Sequence, residues 1–313
     1  MHAAAFSPRG GVSPRSARLR GQSIIEYVLI IALIGLVIVF AGPGVAGAIR
    51  NQFNQVTNTV DSGTDGGNFM SAEEKAYQEA MKTVVNKDAK DWTLDEQKAA
   101  ATDIAKNGTS SVVYAKAKAA MEAGTKFSAK LTNGKTLEYR IVGINHDDLA
   151  DGSGKAGMTF EATNAVLGTQ RMNATQTNAG GWEQSELRGR LNSGDLWSLL
   201  PSELQSKVKT VKKMTDNKGG GTAGTPPATT DKVFLLSTTE IYGDLQSDGV
   251  QYEYYKSKGV TTSSYSGASS SGNRWTRSVY PGLSTHFCYV YSGGDWNGNL
   301  ATFTSCVFPA FSF

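Results

Sequence analysis

Chemical features that mark many enzymes and nucleic-acid-binding proteins are scarce in this chain. Its 313 residues carry a net charge of only +3, so no electrostatic attraction to nucleic acid is predicted. It has three histidines and two cysteines, without the ligand spacing of a zinc site. A phosphate-binding glycine loop and a recognisable pair of glycosidase-type carboxylates are also missing. We therefore predict that the protein is not an enzyme, that it needs no catalytic cofactor and that it has no nucleic-acid partner.

Acidic residues are absent from the first 25 positions of the sequence. The same segment carries four arginines: Arg9, Arg15, Arg18 and Arg20. Positive charge ahead of an apolar segment marks the cytoplasmic side of a membrane. The chain after Ala41 is therefore predicted to lie outside the membrane.

An apolar run follows, from Gln22 to Ala41. About 20 residues of helix are ~30 Å long, which matches the hydrocarbon core of a bilayer. Glu26 lies inside this run, where a charge is costly and indicates a function. The alternative is a plain signal-anchor that tolerates Glu26 near its end. Because Gly21 precedes the run, cleavage there would leave the helix on the mature protein, unlike cleavage of a conventional signal peptide.

Gly21, four further residues and then Glu26-Tyr27 stand before a long aliphatic stretch. This pattern resembles the precursor of a type IV pilin, in particular the Flp-type (Tad) branch. The resemblance covers roughly residues 18–60, and it implies a leader peptide over residues 1–21.

In that family a prepilin peptidase cuts after the glycine, which would make Gln22 the mature N-terminus. The resemblance also implies a pilin-like transmembrane helix over residues 22–60. In that helix, the carboxylate of Glu26, in the Glu26-Tyr27 pair, would form an ion pair with the α-amino group of a neighbouring subunit. Flp pilins are usually small, so the large domain beyond the helix favours a minor or tip subunit. The implied partners are the prepilin peptidase, other pilin subunits and the membrane.

The next segment separates the apolar run from the rest of the chain. Residues 61–70 are rich in glycine and polar residues and are predicted to be a linker. Capping-box spacings at residues 71–74 and 93–96 predict two helices, and Gly124 is predicted to end a third. We interpret residues 71–124 as a helical spacer; the alternative is that these helices pack onto the following domain.

Residues 125–313 have the pattern of an extracellular α+β domain with small antiparallel sheets and long loops. Asn133-Gly134 between two strand-like runs predicts a hairpin. Helices are predicted at residues 180–192 and 201–211. Further strands are predicted at residues 231–237, 287–291 and 301–308.

The same domain contains four ordered blocks: GWEQSELR (181–188), DKVFLLS (231–237), RWTRS (274–278) and VFPAF (307–311). They resemble an uncharacterised secreted domain common in surface proteins of gut-associated Gram-positive bacteria. The layout is similar to C-type-lectin-like folds. The resemblance implies a surface location and an unidentified host or surface ligand, a glycan or a protein. It implies no particular activity.

Several large residues in these blocks have a structural interpretation. Trp182 and Trp275 are predicted to lie in the core. Arg188, Arg274 and Arg277 are predicted to pair with buried carbonyls or acids and so to hold loops in place.

Trp296 lies between Asp295 and Asn297 in a segment of small polar residues that we predict to be a loop. An aromatic ring in such a loop can stack on a sugar or contact a protein partner. The alternative is a tucked-in turn with no binding role.

Asp147, Asp148 and Asp151 invite a calcium interpretation. The EF-hand template fails, because counting from Asp147 puts Leu149 at its third position and Met158 at its twelfth. A looser calcium site from the three aspartates remains a candidate. The alternative is a solvated turn, which aspartate and glycine favour by themselves.

The two cysteines, Cys288 and Cys306, are near the C-terminus. Outside a membrane the simplest prediction is a disulfide across a hairpin, and the alternative is two free thiols. His286 is two residues from Cys288 and would share its strand face. A catalytic dyad there is a minor alternative to a structural pair.

Together these patterns predict a pilin-like cell-surface subunit that displays an extracellular binding or adhesion domain. The predicted location is the cell membrane, and after processing the pilus or cell surface. One alternative is a membrane-anchored binding protein that does not polymerise. Another is an anchored secreted enzyme.

Overall fold

The computed structural model describes residues 70–216, 218–221, 228–243, 246 and 248–313. The predicted leader and pilin-like helix, and the linker up to residue 69, lie outside these ranges. Within the ranges, no helix is both long enough and apolar enough to cross a bilayer.

Local sequence sets the ends of the first three helices. They are α1 (Ala72–Val84), α2 (Leu94–Asn107) and α3 (Tyr114–Ala123). Ser71 caps α1 by accepting a hydrogen bond from the backbone of Glu74 at 3.0 Å. Thr93 starts α2 with a complete capping box. Gly124 ends α3 in the left-handed conformation, with a φ of 68°. These three predictions are confirmed.

The first sheet has five antiparallel strands in the order β1-β2-β3-β12-β7. They are β1 (Phe127–Lys130), β2 (Thr136–Ile144), β3 (Met158–Ala162), β7 (Val233–Phe234) and β12 (Ala310–Ser312). The Asn133-Gly134 turn joins β1 to β2, as predicted. The C-terminal strand β12 lies inside the sheet, between β3 and β7.

Two of the helices that we interpreted as a spacer, α2 and α3, pack directly on this sheet, and α1 packs on α2, so that interpretation is wrong. Ile104 of α2 is fully buried in the same core as the strands. The hydroxyl of Tyr139 on β2 donates to Gln97 of α2 at 3.0 Å. A Cβ at Gly157 would lie 1.8 Å from the carbonyl oxygen of Ala101, so only glycine allows this close approach.

Aromatic rings fill much of the interior beside the first sheet. The ring of Phe160 lies 6.0 Å from Phe127, 5.5 Å from Tyr139, 5.5 Å from Phe311 and 4.9 Å from Phe313, measured between centroids. Such tilted and edge-to-face pairs bury a large apolar area. The C-terminal residues are therefore part of the core.

The second sheet has the strand order β10-β9-β8-β11-β4. Its strands are β4 (Thr169–Gln170), β8 (Arg274–Val279), β9 (His286–Val290), β10 (Trp296–Leu300) and β11 (Ser305–Cys306). Most neighbours are antiparallel, but β11 runs parallel to β8. The sequence prediction placed residues 295 and 296 in a loop and residues 301–308 in one strand. The structure makes β10 from residues 296–300 and leaves only Ser305–Cys306 as β11.

Shorter elements connect the two sheets. They are α4 (Glu186–Asn192), α5 (Asp195–Ser198), α6 (Ser202–Gln205), the ribbon of β5 (Val211–Met214) with β6 (Ala228–Asp231), α7 (Thr238–Tyr242) and α8 (Glu253–Ser257). The helices predicted over residues 180–192 and 201–211 are present but shorter. The strand predicted over residues 231–237 is divided between the end of β6 and the short strand β7. It stops before Ser237, because Ser237 caps α7. The predicted class, α+β with small antiparallel sheets, is confirmed.

Candidate functional site

Of the residues predicted to contact a ligand, Trp296 and Asn297 lie on strand β10 and not in a loop, and Asp295 directly precedes the strand. Trp296 pairs with Val290 and Asn297 with Tyr289 across the β9–β10 ladder. Successive side chains on a strand point to opposite faces of a sheet. The structure therefore separates Trp296 from Asn297.

Trp296 lies on a half-buried face. Its ring centroid is 6.1 Å from that of Tyr280, whose ring also covers Gly298. A Cβ at Gly298 would lie 2.3 Å from this ring, so glycine lets Tyr280 lie flat on the strand. Trp296 is therefore partly covered by Tyr280, on a strand and not in a turn.

The opposite face carries a row of aromatic rings. Centroid distances are 6.5 Å for Phe303 and Trp275, 6.0 Å for Trp275 and Tyr289, and 4.8 Å for Tyr289 and Tyr291. Trp275 and Tyr289 are buried, whereas the outer rings of Tyr291 (36% exposed) and Phe303 (45% exposed) reach solvent. Exposed rings held by buried ones form a rigid surface.

Two asparagines of β10 lie beside this row. The amide nitrogen of Asn297 donates to the hydroxyl of Tyr291 at 3.4 Å, and the side chain of Asn299 hydrogen-bonds Tyr289. Burial, followed by the hydrogen bond to Tyr291, raises the pKa of Tyr289, so the phenol stays neutral. We call this surface the aromatic face. It consists of Trp275, Tyr289, Tyr291, Asn297, Asn299 and Phe303.

The open edge of β10 is closed by its own side chains. The carbonyl of Asp295 accepts a hydrogen bond from the N–H of Tyr291, and the N–H of Ala301 donates to the carbonyl of Thr285. This register turns the N–H groups of the even-numbered residues of β10 outward. The side-chain oxygen of the preceding residue binds each outward N–H at 2.8 Å: Asp295 binds Trp296, Asn297 binds Gly298 and Asn299 binds Leu300. Asp or Asn at alternate positions is the sequence signal that could have identified this arrangement.

The predicted tryptophans and arginines have the structural roles that the sequence indicated. Trp182 is fully buried and donates to Asp231 at 3.1 Å. Arg188 binds the same carboxylate at 2.6 Å. The other two arginines pair with acids that sequence reasoning did not identify: Arg274 with Glu161 and Arg277 with Glu240.

Asp147 belongs to a buried network, in which its partner is a lysine and not a metal. Lys213 lies 2.5 Å from Asp147 and 2.5 Å from Glu240. Burial alone would raise the pKa of Asp147, but Lys213, His146 and a hydroxyl hydrogen bond lower it to about 2. Sequence reasoning missed Lys213. The signal that could have identified it is its position on β5, where buried and exposed residues alternate and Lys213 falls on the buried face.

The other two calcium candidates have separate partners. Asp148 pairs with Lys155 at 3.0 Å, and Asp151 accepts a hydrogen bond from Ser153 at 2.7 Å. No set of three His, Cys, Asp or Glu side chains in the described part of the chain is arranged to hold a metal ion. The structure therefore does not bring the three predicted aspartates together as one site.

Both cysteines are free thiols, which contradicts the predicted disulfide. Cys288 is on β9 and Cys306 on β11, and β8 lies between them. Two strand spacings amount to about 10 Å, beyond the ~4.4–6.8 Å that a disulfide allows between Cα atoms. The hairpin that we predicted between these residues instead joins β9 to β10.

Cys288 and His286 do not form a catalytic pair. The thiol of Cys288 is fully buried and donates to the carbonyl of Val279 at 3.5 Å. Burial, followed by the charge of Asp248, raises its pKa, so the thiol is not activated. The Nδ1 of His286 instead meets the hydroxyl of Thr285 at 2.7 Å.

Comparison with known proteins gives one match. The family described as a domain of unknown function, DUF6273, matches residues 156–313, which is half of the chain. The matched part begins just before β3 and contains the whole aromatic face, but it excludes α1–α3, β1 and β2. No curated protein and no solved structure matches the chain.

Proposed function

The chain belongs to the DUF6273 family, and from that premise we propose that it is a pilin-like cell-surface subunit that displays a ligand-binding domain. The aromatic face is the observation that supports the binding half of this proposal. It combines exposed rings, hydroxyls and amides on neighbouring strands and the turn beside them. Rings and amides of this kind recognise the apolar and hydroxyl-bearing faces of sugars, and they also suit a protein partner.

The N-terminal sequence supports the other half of the proposal, that the protein is a pilin-like subunit at the cell surface. Residues 1–60 contain the leader, Gly21, Glu26 and the apolar run, all outside the described ranges. On this proposal the cleaved helix anchors the subunit in a Tad-like pilus, as a minor or tip component. The domain that follows would then lie outside the cell.

The proposed ligand is a glycan or a protein on a host or on another surface. We further propose that the domain is a variant of the C-type-lectin-like fold, since two small, mostly antiparallel sheets are joined by long loops. The ligand would lie along β9 and β10. The half-buried face that contains Trp296 would support the strand from behind.

A glycan array probed with residues 70–313 tests the binding half. This part has one continuous hydrophobic core and therefore suits separate expression. Tyr291→Ala should weaken binding to any positive ligand by about tenfold or more, because it removes an exposed aromatic ring that a ligand can contact directly. Tyr265→Ala is the matched control, because Tyr265 is equally exposed at 37% and makes no ring contact with the face. Equal binding by both variants would contradict the proposal.

A surface protein that does not polymerise is the second candidate. It would use the same aromatic face and would differ only in what the N-terminal helix does. Sheared filaments probed with an antibody to the domain separate the two. Enrichment in the filament fraction supports the pilin-like subunit, and recovery in the membrane fraction alone supports the second candidate.

A further inference from the structure

A cleft of about 410 Å³ lies where the end of β2, strand β5 and the segment before α8 meet. Asn145 and His146 follow β2 and form one wall. Lys212 on β5, and Gly249 and Val250 before α8, line the other sides. No residue of the aromatic face lines this cleft, so it is a separate site whose role goes beyond the proposed function.

The floor of the cleft has little capacity for a cation. Lys213 lies between Asp147 and Glu240, at 2.5 Å from each carboxylate. Asp147 also accepts hydrogen bonds from Tyr252 at 2.7 Å and from Thr159 at 2.6 Å. Because these acceptors are already occupied, a positively charged ligand would have to break existing ion pairs.

Hydrogen-bond donors, in contrast, remain unused around the cleft. Among the described residues, nothing forms a hydrogen bond or an ion pair with the ammonium group of Lys212. The backbone N–H groups of Gly249 and Val250 also have no acceptor within that part of the chain. Adjacent backbone N–H groups beside a cation are a recurrent way to bind an anion.

His146 adds a donor whose orientation is fixed. Its Nδ1 contacts the carboxylate of Glu253 at 3.1 Å, and its ring stacks on Tyr252 with centroids 4.1 Å apart. The Nε2 atom has no hydrogen-bond partner in the described chain, and His146 lines the cleft. A histidine held through Nδ1 presents Nε2 to a ligand.

The groups that face His146 favour its protonated form. Burial lowers the pKa of His146, but the hydrogen bond to Glu253 and the charges of Asp147 and Glu253 outweigh burial and the opposing charge of Lys213, so the pKa is raised. Lys155 also lies nearby and donates to the carbonyl of His146 at 2.9 Å. Nε2 therefore carries a proton more often as the pH falls toward mildly acidic values.

The backbone at this wall is strained. Asn145 has a φ of 50° and is the one non-glycine residue with positive φ in the described chain. Its side chain donates to the carbonyl of Ile104 at 3.1 Å, which ties the wall to helix α2. Such conformations are sparsely populated and concentrate at functional sites.

We propose that this cleft binds the oxyanion group of a small ligand, a carboxylate, sulfate or phosphate. Lys212 supplies the charge, and the N–H groups of Gly249 and Val250 with Nε2 of His146 supply hydrogen bonds. Each carboxylate that lines the cleft already has a basic partner: Asp147 and Glu240 contact Lys213, Asp148 contacts Lys155, and Glu253 contacts His146.

Calorimetric titration of the full chain, in detergent micelles, with inorganic sulfate tests this proposal. Sulfate keeps its charge between pH 6 and pH 8, so any pH dependence reports on the protein. We expect saturable binding that is several-fold tighter at pH 6. Lys212→Gln should weaken it by about tenfold, since one charge-assisted hydrogen bond is lost, and His146→Gln should remove the pH dependence.

Lys135→Gln is the matched control, because Lys135 is an exposed lysine in the β1–β2 turn, outside the cleft. It should bind sulfate as the unchanged chain does. Equal weakening by Lys212→Gln and Lys135→Gln would overturn the proposal, and so would the absence of saturable binding. Retention of the pH dependence in His146→Gln would overturn the role of His146.

Discussion

At the scale of single residues, the interior of the domain depends on ion pairs whose partners come from distant elements. Lys213 of β5 lies between Asp147, which follows β2, and Glu240 of α7. The sequence indicated that Arg274 and Arg277 pair with buried acids, because large cations are rarely buried alone. It could not identify the acids, because each partner is set by how the sheets pack.

We predict that Lys213→Met lowers the free energy of unfolding by about 3–5 kcal/mol. The reason is that Asp147 and Glu240 would remain buried after losing a shared cation. Lys212→Met, one position away and exposed, should change it by less than about 0.5 kcal/mol. Urea denaturation of residues 70–313 measures both, and equal stability of the two variants would contradict the network.

The same network predicts a dependence of stability on pH. The pKa of Asp147 is lowered to about 2 from an ordinary value of 3.8, so its contribution is complete above about pH 4. The contribution is lost as the pH falls toward 2, where the folded state takes up the proton. Denaturation at pH 5 and pH 2.5 should show this loss in the unchanged protein. A stability that stayed constant over this range would argue against an ionised Asp147.

The thiols give a second test at this scale. We predict two titratable thiols in the unfolded protein without reductant and no change in melting temperature when reductant is added. In the native protein Cys306, which is half-buried, should react with a thiol reagent much faster than Cys288, which is fully buried. If the unfolded protein showed no titratable thiol before reduction, the result would contradict the free thiols and support the disulfide.

At the scale of elements, the boundaries with a local cause could be read from the sequence. Ser71 and Thr93 begin helices, and Asn133-Gly134 makes a hairpin, because capping and turn geometry depend on adjacent residues. Strand β10 was missed, since its glycine and asparagines have low strand propensity. Pairing with β9 and support from Tyr280 outweigh that propensity.

The closed edge of β10 leads to a prediction about self-association. Asp295→Ala combined with Asn299→Ala should free two outward N–H groups and make the domain associate at high concentration, because open strand edges pair with other chains. Sedimentation velocity should show a concentration-dependent increase in size. Thr304→Ala, on an exposed residue beyond the strand, is the control, and a double variant that stayed monomeric would contradict the proposed closure.

At the scale of the whole molecule, the sequence predicted the α+β class but not the domain boundary. Capping-box spacings predicted α1 and α2, and Gly124 predicted the end of α3. The packing of α2 and α3 on β2 and β3 instead depends on contacts such as that between Gly157 and Ala101. Long-range contacts of this kind have no local signature. Of the aromatic face, only Asn297 was predicted as a ligand contact. Trp296 and Asn297 lie on opposite faces of the sheet, which became visible only once β10 was known to be a strand.

For the complete chain we predict cleavage between Gly21 and Gln22. Mass spectrometry of the surface protein should find Gln22 as the first residue, and an intact leader would contradict the pilin-like assignment. Glu26→Ala should insert into the membrane normally, since a charge is removed from an apolar helix. It should fail to enter filaments, because the partner of the neighbouring α-amino group is lost.

The most direct test of the displayed binding domain is a binding assay on sheared filaments. Filaments from cells that produce the unchanged chain should bind the ligand found on the array. Filaments with Tyr291→Ala should contain the same amount of the subunit and lose that binding, whereas Tyr265→Ala should retain it. Filaments that lack the subunit, or that bind equally well with Tyr291→Ala, would contradict the proposed function.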